Sequence, residues 1–165
     1  DRFNRVVADI NLDGINDLII RKLGTNPSIT FYKGTDFSEL WQFTSSSGHS
    51  ITEILAETSV GKFTPVDLDG DGQEEVLILD TYNDASAGNA SATLYIYDAA
   101  THALKWQTTY TYTLPAGGSG YVSYRADVED IDGDGAYEII ISQSASYMPA
   151  GASTYTSDNW VKVLK

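Results

Sequence analysis

The chain has 165 residues, enough for one domain with a core, and 42% of them are hydrophobic, which excludes a disordered chain. The formal charge of -13 argues against binding to nucleic acid, because the chain has too few cations to neutralise a run of phosphates. Cysteine is absent, which excludes disulfides, thiolate zinc sites and cysteine nucleophiles.

The first predicted elements form one repeat unit. A strand at residues 5–8 leads into an acidic turn at 9–17, and an apolar strand at 18–20 leaves that turn. Residues 29–44 follow as an apolar strand, a turn and a second strand, which is typical of a β-hairpin. Residues 50–53, Ser-Ile-Thr-Glu, fit a capping box and predict a short helical turn.

The same order of elements recurs twice further along the chain. The second acidic turn is at 67–75 and the third at 130–138. A hairpin at 94–109 aligns without gaps with the first hairpin, and a third copy begins at Trp160. The strands that enter and leave the later turns are predicted at residues 62–66, 76–79, 121–126 and 139–141.

Segments rich in small and polar residues are predicted as surface loops, at 82–93, 115–120 and 146–158. One unit therefore comprises four strands, and the chain contains about two and a half units. The predicted fold class is all-β, an array of four-stranded antiparallel units. It forms a single repeat domain, 1–165, with units at about 3–60, 61–124 and 125–165.

The acidic turns have the spacing of a calcium-binding loop. Calcium takes six to eight oxygen ligands, and side chains at positions one, three and five of a flexible loop converge on one point, where a carbonyl at position seven adds an oxygen. Here position six is always Gly and position nine is always an acid. The turns thus predict three calcium ions, with these ligands: Asp9, Asn11, Asp13, Ile15 (carbonyl) and Asp17; Asp67, Asp69, Asp71, Gln73 (carbonyl) and Glu75; Asp130, Asp132, Asp134, Ala136 (carbonyl) and Glu138.

An EF-hand, a plain solvated turn and a magnesium site fit the acidic turns less well. An EF-hand needs a bidentate Glu at position twelve, where this chain has Ile20, Ile78 and Ile141. Solvated Asp-Gly turns would account for one copy but not for three with the same spacing. Magnesium demands tighter octahedral geometry than such loops provide. Because Asn11 replaces an acid, the first turn is expected to bind calcium most weakly.

This pattern resembles the FG-GAP and VCBS repeats of integrin-α-like β-propellers, in which an Asp-x-Asp-x-Asp-Gly-x-x-Asp/Glu loop joins the first two strands of a blade. The literal Phe-Gly and Gly-Ala-Pro motifs are not evident, so the VCBS-like repeats are the nearer match. The resemblance implies a β-propeller-like array of four-stranded antiparallel blades that is open or fragmentary. It also implies that calcium stabilises the blades and that the location is extracellular or at the cell surface. Asn11 departs from the pattern at one ligand position.

Closed propellers have about four to eight blades, so two and a half units leave strand edges to be covered. The chain could be a fragment of a longer propeller, its own residues 1–8 or a loop could close the last blade, or a neighbouring subunit could add a strand. The predicted function is a non-catalytic structural, adhesion or self-assembling unit that associates with itself or with another extracellular protein.

Two alternatives remain open, a glycan-binding module and a fragment of a larger secreted propeller protein or enzyme. Trp41 and Trp106 share one repeat position and are expected to pack between blades, so Trp160 is the freer tryptophan for stacking on a sugar. His102 aligns with Phe37 in the hairpin turn and is predicted at the surface. Asn89 begins a glycosylation sequon.

Overall fold

The computed structural model describes residues 3–54, 56–57, 63–84, 88–115 and 118–165, and the side chains of residues 7–52, 65–84, 88–115 and 118–165. These residues form strands and no helix, so the predicted all-β class is confirmed. In the part of the chain described, no helix is long and apolar enough to cross a membrane. The strands are β1 (Phe3–Ala8), β2 (Asp17–Lys22), β3 (Ser28–Tyr32), β4 (Glu39–Thr44), β5 (His49–Ile54), β6 (Ala56–Glu57), β7 (Phe63–Thr64), β8 (Glu75–Asp84), β9 (Asn89–Asp98), β10 (Leu104–Thr113), β11 (Ser119–Glu129), β12 (Glu138–Met148) and β13 (Thr156–Leu164).

Three antiparallel sheets follow one another along the chain. Sheet 1 has the order β1-β2-β3-β4, sheet 2 has β5-β8-β9-β10, and sheet 3 has β11-β12-β13. The short strands β6 and β7 pair with each other. Each sheet is built mainly from strands that are consecutive in sequence, and none of the three closes on itself. The repeat read from the sequence is therefore present as repeated sheets.

Sheet 2 differs from the predicted unit at its first strand. Residues 62–66 were expected to enter the second turn. Among those of them that the structure describes, only Phe63–Thr64 is a strand, and Val66 makes a single bridge to Glu75. The strand beside β8 is instead β5, which contains the residues expected to form a helical turn. That helical prediction is wrong, because residues 49–54 are needed as the edge partner of β8.

The predicted loops are shorter than expected. β8 and β9 run on to residues 84 and 89, and β12 and β13 to residues 148 and 156. Most of 82–93 and 146–158 is therefore strand, and residues 85–87 lie outside the described residues. Small residues such as Ala90 and Ala92 are fully buried in this extension, so they mark close packing rather than a surface loop.

Sheet 2 is packed between the other two sheets. Its strand β8 is buried on both faces, because Val76 and Ile78 face sheet 1 whereas Leu77 and Leu79 face sheet 3. This explains the unbroken apolar run after the second turn, in contrast to the alternating burial of β2. Each acidic turn ends where β2, β8 or β12 begins, so each turn lies at the start of an inner strand of its sheet.

Candidate metal centres

The three acidic turns have one hydrogen-bonding pattern, seen clearly in the third turn. The Asp130 carboxylate accepts a hydrogen bond from the Gly135 N–H at 3.0 Å, and Asp134 accepts one from Ala136 N–H at 2.9 Å. Glu138 accepts one from Ile131 N–H at 2.9 Å. The other turns repeat these contacts with Asp9–Gly14, Asp13–Ile15 and Asp17–Ile10, and with Asp67–Gly72, Asp71–Gln73 and Glu75–Leu68.

The backbone of the turns also repeats. Positions four and six both have positive φ in every turn, which side chains other than Gly adopt at a cost. Position four is Gly70 and Gly133 in the second and third turns but Leu12 in the first, where φ is 59°. The glycine at position six was recognised from the sequence, whereas this second requirement was missed.

Carboxylates converge in the second and third turns. One oxygen each from Asp67, Asp69 and Asp71 lies within 4.8 Å of the others, and a second group unites Asp130, Asp132 and Glu138. Among the described residues, the first turn forms no such group of three acids. There the amide of Asn11 donates to Asp13 Oδ2 at 3.1 Å.

The acid at position nine is the buried anchor of each turn, because Asp17, Glu75 and Glu138 are 1–3% exposed. Asp17 accepts a hydrogen bond from Gly34 N–H at 2.9 Å, so in the first turn its second oxygen is bound by backbone. In the third turn, Glu138 Oε1 is buried and accepts no well-directed hydrogen bond. A buried carboxylate oxygen without such a donor is costly, and it faces the other acids of its turn.

A lysine ammonium group lies among the acids of two turns. Lys105 Nζ is 2.8 Å from Asp69, 2.7 Å from Asp71 and 2.8 Å from Glu75. Lys165 Nζ occupies the same place in the third turn, at 2.6 Å from Asp132, 2.8 Å from Asp134 and 3.2 Å from Glu138. Neither lysine was foreseen from the sequence, since both are distant along the chain from their turns.

These ion pairs alter the pKa values of the acids. Hydrogen bonds from the lysines are the main cause that lowers the pKa of Asp71 and of Asp134. Burial raises the pKa of Glu75, although Lys105 acts in the opposite direction. Hydrogen bonds to the three surrounding carboxylates raise the pKa of Lys105, so the ammonium stays charged. The lysine thus favours the ionised form of Asp71 and of Asp134, whereas burial outweighs its effect at Glu75.

The donor set can hold a hard divalent cation. All side-chain donors are oxygens, which suit calcium, magnesium and manganese and not the softer metals. The ammonium group marks a point that three carboxylates can reach together. The backbone carbonyls predicted at Ile15, Gln73 and Ala136 remain a prediction, whereas their N–H groups donate to the acid at position five.

Several other predicted positions have a different environment. Trp160 is not free, because its Nε1–H donates to Gln143 at 2.7 Å and its ring packs against Tyr110 and Tyr124. Trp41 packs between sheets 1 and 2 as expected, against Tyr97. Trp106 was expected to pack in the same way, but it is 44% exposed and borders a cleft of about 530 Å³ between sheets 2 and 3.

Two smaller predictions concern hairpin residues. The backbone agrees with the alignment of His102 and Phe37, because φ is 59° at His102 and 58° at Phe37. In each hairpin turn the N–H of this residue donates to the carbonyl four residues earlier. His102 is half-buried rather than at the surface, because its ring stacks on Trp41. Asn89 is exposed at the start of β9, and its glycosylation stays a prediction.

Repeated sheets with repeated acidic turns define an all-β repeat protein. Residues 9–78 match the family model of the FG-GAP-like repeat, which confirms the predicted resemblance over that segment. The match spans the first two acidic turns and the strands between them. No curated protein and no solved structure matches the chain significantly.

Proposed function

We propose that this chain is a calcium-binding module of propeller-blade type. The observation that carries the proposal is the common geometry of the three turns. Each turn leads into a strand, and in each the carboxylate at position one accepts a hydrogen bond from the glycine N–H at position six. Calcium suits such a loop because it accepts many oxygens in flexible geometry. One ion in each turn would offset two of its negative charges and stabilise the turn together with the strand that follows it.

Calcium binding is tested by titrating the metal-free protein with calcium chloride by isothermal calorimetry, with magnesium chloride as the comparison. The expected result is binding of three calcium ions and a rise in Tm, with weaker binding to the first turn and to magnesium. Absence of both heat and a Tm shift at millimolar calcium would contradict the proposal.

We further propose that the module is a non-catalytic structural or self-assembling unit, placed outside the cell. The support is that the outer faces of sheet 1 and sheet 3 expose apolar residues, whereas the residues at the matching positions of other sheets are buried. Val161 and Val163 on sheet 3 are 66% and 54% exposed, whereas Leu94 and Ile96, at the same register positions of sheet 2, are 0% and 5% exposed.

Sheet 1 offers the opposite face. Val7 is 59% exposed, whereas Val128, at the same position before the third turn, is fully buried. Inside the chain, the face of sheet 2 with Leu94 and Ile96 packs against the face of sheet 3 with Val128, in the core between these sheets. Head-to-tail contact of sheet 3 in one copy with sheet 1 in the next would cover both, and repetition would build a ring or a filament.

Sedimentation velocity in millimolar calcium and in excess EGTA tests this role. Large species in calcium that dissociate in EGTA are expected. A compact monomer in both would oppose self-assembly and favour coverage of these faces by other parts of a longer protein or by another extracellular partner.

The non-catalytic role is supported by the one place, among the described side chains, where Ser, His and Asp meet. Ser45 Oγ donates to both oxygens of Asp80 at 2.7 Å, and His49 Nδ1 lies 3.2 Å from the same carboxylate. The hydroxyl is therefore bound to the acid and not to the imidazole, which is the wrong order for a serine nucleophile. Incubation with ester and glycoside substrates is expected to show no turnover.

Glycan binding is the second candidate, favoured by the exposed indole of Trp106 at the cleft between sheets 2 and 3. An aromatic face beside carboxylates that could hold calcium suits the stacking of a sugar ring. Wild type and Trp106→Ala would be compared on a glycan array in calcium. Hits that disappear in the variant would favour this candidate, and an array without hits would exclude it.

A further inference from the structure

Lys105 reaches the second turn because of a β-bulge. The pairing of β10 with β9 shifts register between Leu104 and Trp106, so Lys105 is the extra residue. A bulge redirects a side chain from the regular alternation of a strand. Here it directs Lys105 into the acids of the second turn, where its side chain is only 22% exposed.

Sheet 1 has the same bulge with a different residue. The pairing of β3 with β4 shifts between Phe31, opposite Trp41, and Tyr32, opposite Glu39, so Leu40 is the extra residue. Leu40 packs on the apolar core between sheets 1 and 2 and supplies no charge. The first turn therefore has no lysine from this position, whereas the second turn does.

The lysines equalise the charge of the three turns. The first turn has three carboxylates, from Asp9, Asp13 and Asp17, and a net charge of -3. The second and third turns each have four ligand carboxylates and one ammonium group, which also gives -3. The first turn therefore has the fewest acids. Its acid at position nine, Asp17, accepts a hydrogen bond from the Gly34 N–H, and the extra residue at the bulge of its sheet, Leu40, is apolar.

We propose that the ammonium groups of Lys105 and Lys165 are built-in competitors of the metal ion in the second and third turns. They occupy the place where the carboxylates converge, so a divalent cation must displace them before it can bind all the acids. Without metal, each ammonium group offsets one negative charge of its turn and reduces the repulsion between the carboxylates. The inference rests on the proposed calcium binding. It states that two lysines outside the turns lower the calcium affinity of the second and third turns.

Displacement has a structural consequence for the second turn. Lys105 and Trp106 are neighbours at the start of β10, and both border the cleft between sheets 2 and 3. Lys165 borders the same cleft. Metal binding at either turn would therefore release an ammonium group into this cleft, which links the occupancy of the two turns to the surface around Trp106.

The test compares wild type, Lys105→Leu, Lys165→Gln and a control, Lys33→Leu, by calorimetric titration with calcium chloride. Lys105→Leu places at the bulge the residue type that sheet 1 has there. Lys33 occupies in sheet 1 the position that follows Tyr32, as Lys165 follows Leu164 in sheet 3, and it forms no ion pair with a turn among the described residues. Each of the first two variants is expected to bind one calcium ion on the order of tenfold more tightly. The control is expected to match wild type.

Thermal unfolding in EDTA and in calcium gives a second measurement. Removing a lysine should lower Tm in EDTA, because the acids lose their counter-charge, and should enlarge the rise in Tm caused by calcium. Lys165 is more than half exposed, so its Gln variant keeps the test valid if Lys105→Leu does not fold. Unchanged affinities in both variants, with calcium still bound, would overturn this inference alone. Calcium binding by none of the four proteins would overturn the proposed function itself.

Discussion

The imidazole ring of His102 lies flat against the indole ring of Trp41, with ring centroids 5.4 Å apart and planes 3° from parallel. His102 belongs to the β9–β10 turn of sheet 2 and Trp41 to β4 of sheet 1, so the contact joins two sheets. The Nε2 atom of His102 is buried and has no hydrogen-bond partner. A charge on this ring would therefore be poorly solvated.

We predict that His102 makes the protein less stable in mild acid. Burial lowers the pKa of His102 from its ordinary value of 6.5, although the charge of Asp98 opposes the change. The unfolded chain then takes up the proton more readily than the folded chain, so the stabilising effect is complete above pH 6.5 and declines below it. Urea unfolding in EDTA at about pH 7.5 and about pH 5.5 should show a lower free energy of unfolding at the lower pH.

The matched variant is His102→Phe, because Phe37 occupies the same turn position in sheet 1 with nearly the same φ. This variant keeps an aromatic ring against Trp41 and removes the titrating group. It should lose part of the difference between the two pH values. An equal difference in wild type and variant would assign the pH dependence to other groups.

Gly34 is predicted to tolerate no side chain. A Cβ atom at this position would collide with the backbone oxygen of Asn16, and the Gly34 N–H is bound to Asp17. Gly34→Ala would push the hairpin away from the first turn, at a cost of about 3 kcal/mol in the free energy of unfolding. The exposed neighbour Thr35→Ala is the control and should change stability little. Chemical denaturation of both variants measures the difference, and equal stability would contradict the close approach.

The sequence alone predicted most of the repeat. The hairpins at residues 29–44 and 94–109 have an apolar strand, a turn and a second strand, and this local pattern is sufficient to fix β3–β4 and β9–β10. The acidic turns were equally predictable, because ligand spacing depends on neighbouring residues only. The first strand of sheet 2 was not predicted. Both β5 and Val66 pair with the same edge of β8, and the local sequence does not show which segment supplies the strand.

The lysines of the candidate sites illustrate the limit of prediction from sequence. Lys105 is far from the second turn along the chain, and a β-bulge rather than a motif brings it there. The burial of Ala90 and Ala92 was hidden in the same way, since small residues occur both in loops and where sheets pack closely. Position four of the turns could have been found, because Gly70 and Gly133 recur there and Leu12 does not fit.

Leu12 is predicted to strain the first turn. It has φ 59° where the other turns have Gly, and its side chain is 43% exposed, so little apolar contact would be lost on truncation. Leu12→Gly should raise the free energy of unfolding by about 0.5–1 kcal/mol, since the cost of this backbone exceeds the extra entropy of Gly. Ile15→Gly, in the same turn without positive φ, should lower it. Thermal unfolding in EDTA compares the two, and a loss in both would refute the strain.

The exposed face of sheet 3 is predicted to mediate self-association. Val161→Glu would introduce a charge where an apolar partner is expected, and sedimentation velocity in calcium should then show a monomer. Thr156→Glu is the control, because it adds the same charge on β13 at a position of opposite parity and leaves the valine face intact. If both variants assemble like wild type, the valine face takes no part in the contact.

Glu75 is predicted to bind calcium at the cost of metal-free stability. Its side chain is fully buried and contacts Lys105, and burial raises its pKa because the charged form is poorly solvated. Glu75→Gln removes a buried charge, keeps the shape of the side chain and leaves Lys105 paired with Asp69 and Asp71. In EDTA the variant should therefore be at least as stable as wild type. In calcium it should gain less, by about 1–3 kcal/mol in the free energy of unfolding, because one ion loses a carboxylate ligand. Calorimetry should find one fewer tight site, whereas the exposed Glu39→Gln should keep all of them. A variant that binds calcium as tightly as wild type at every site would show that Glu75 is not a ligand.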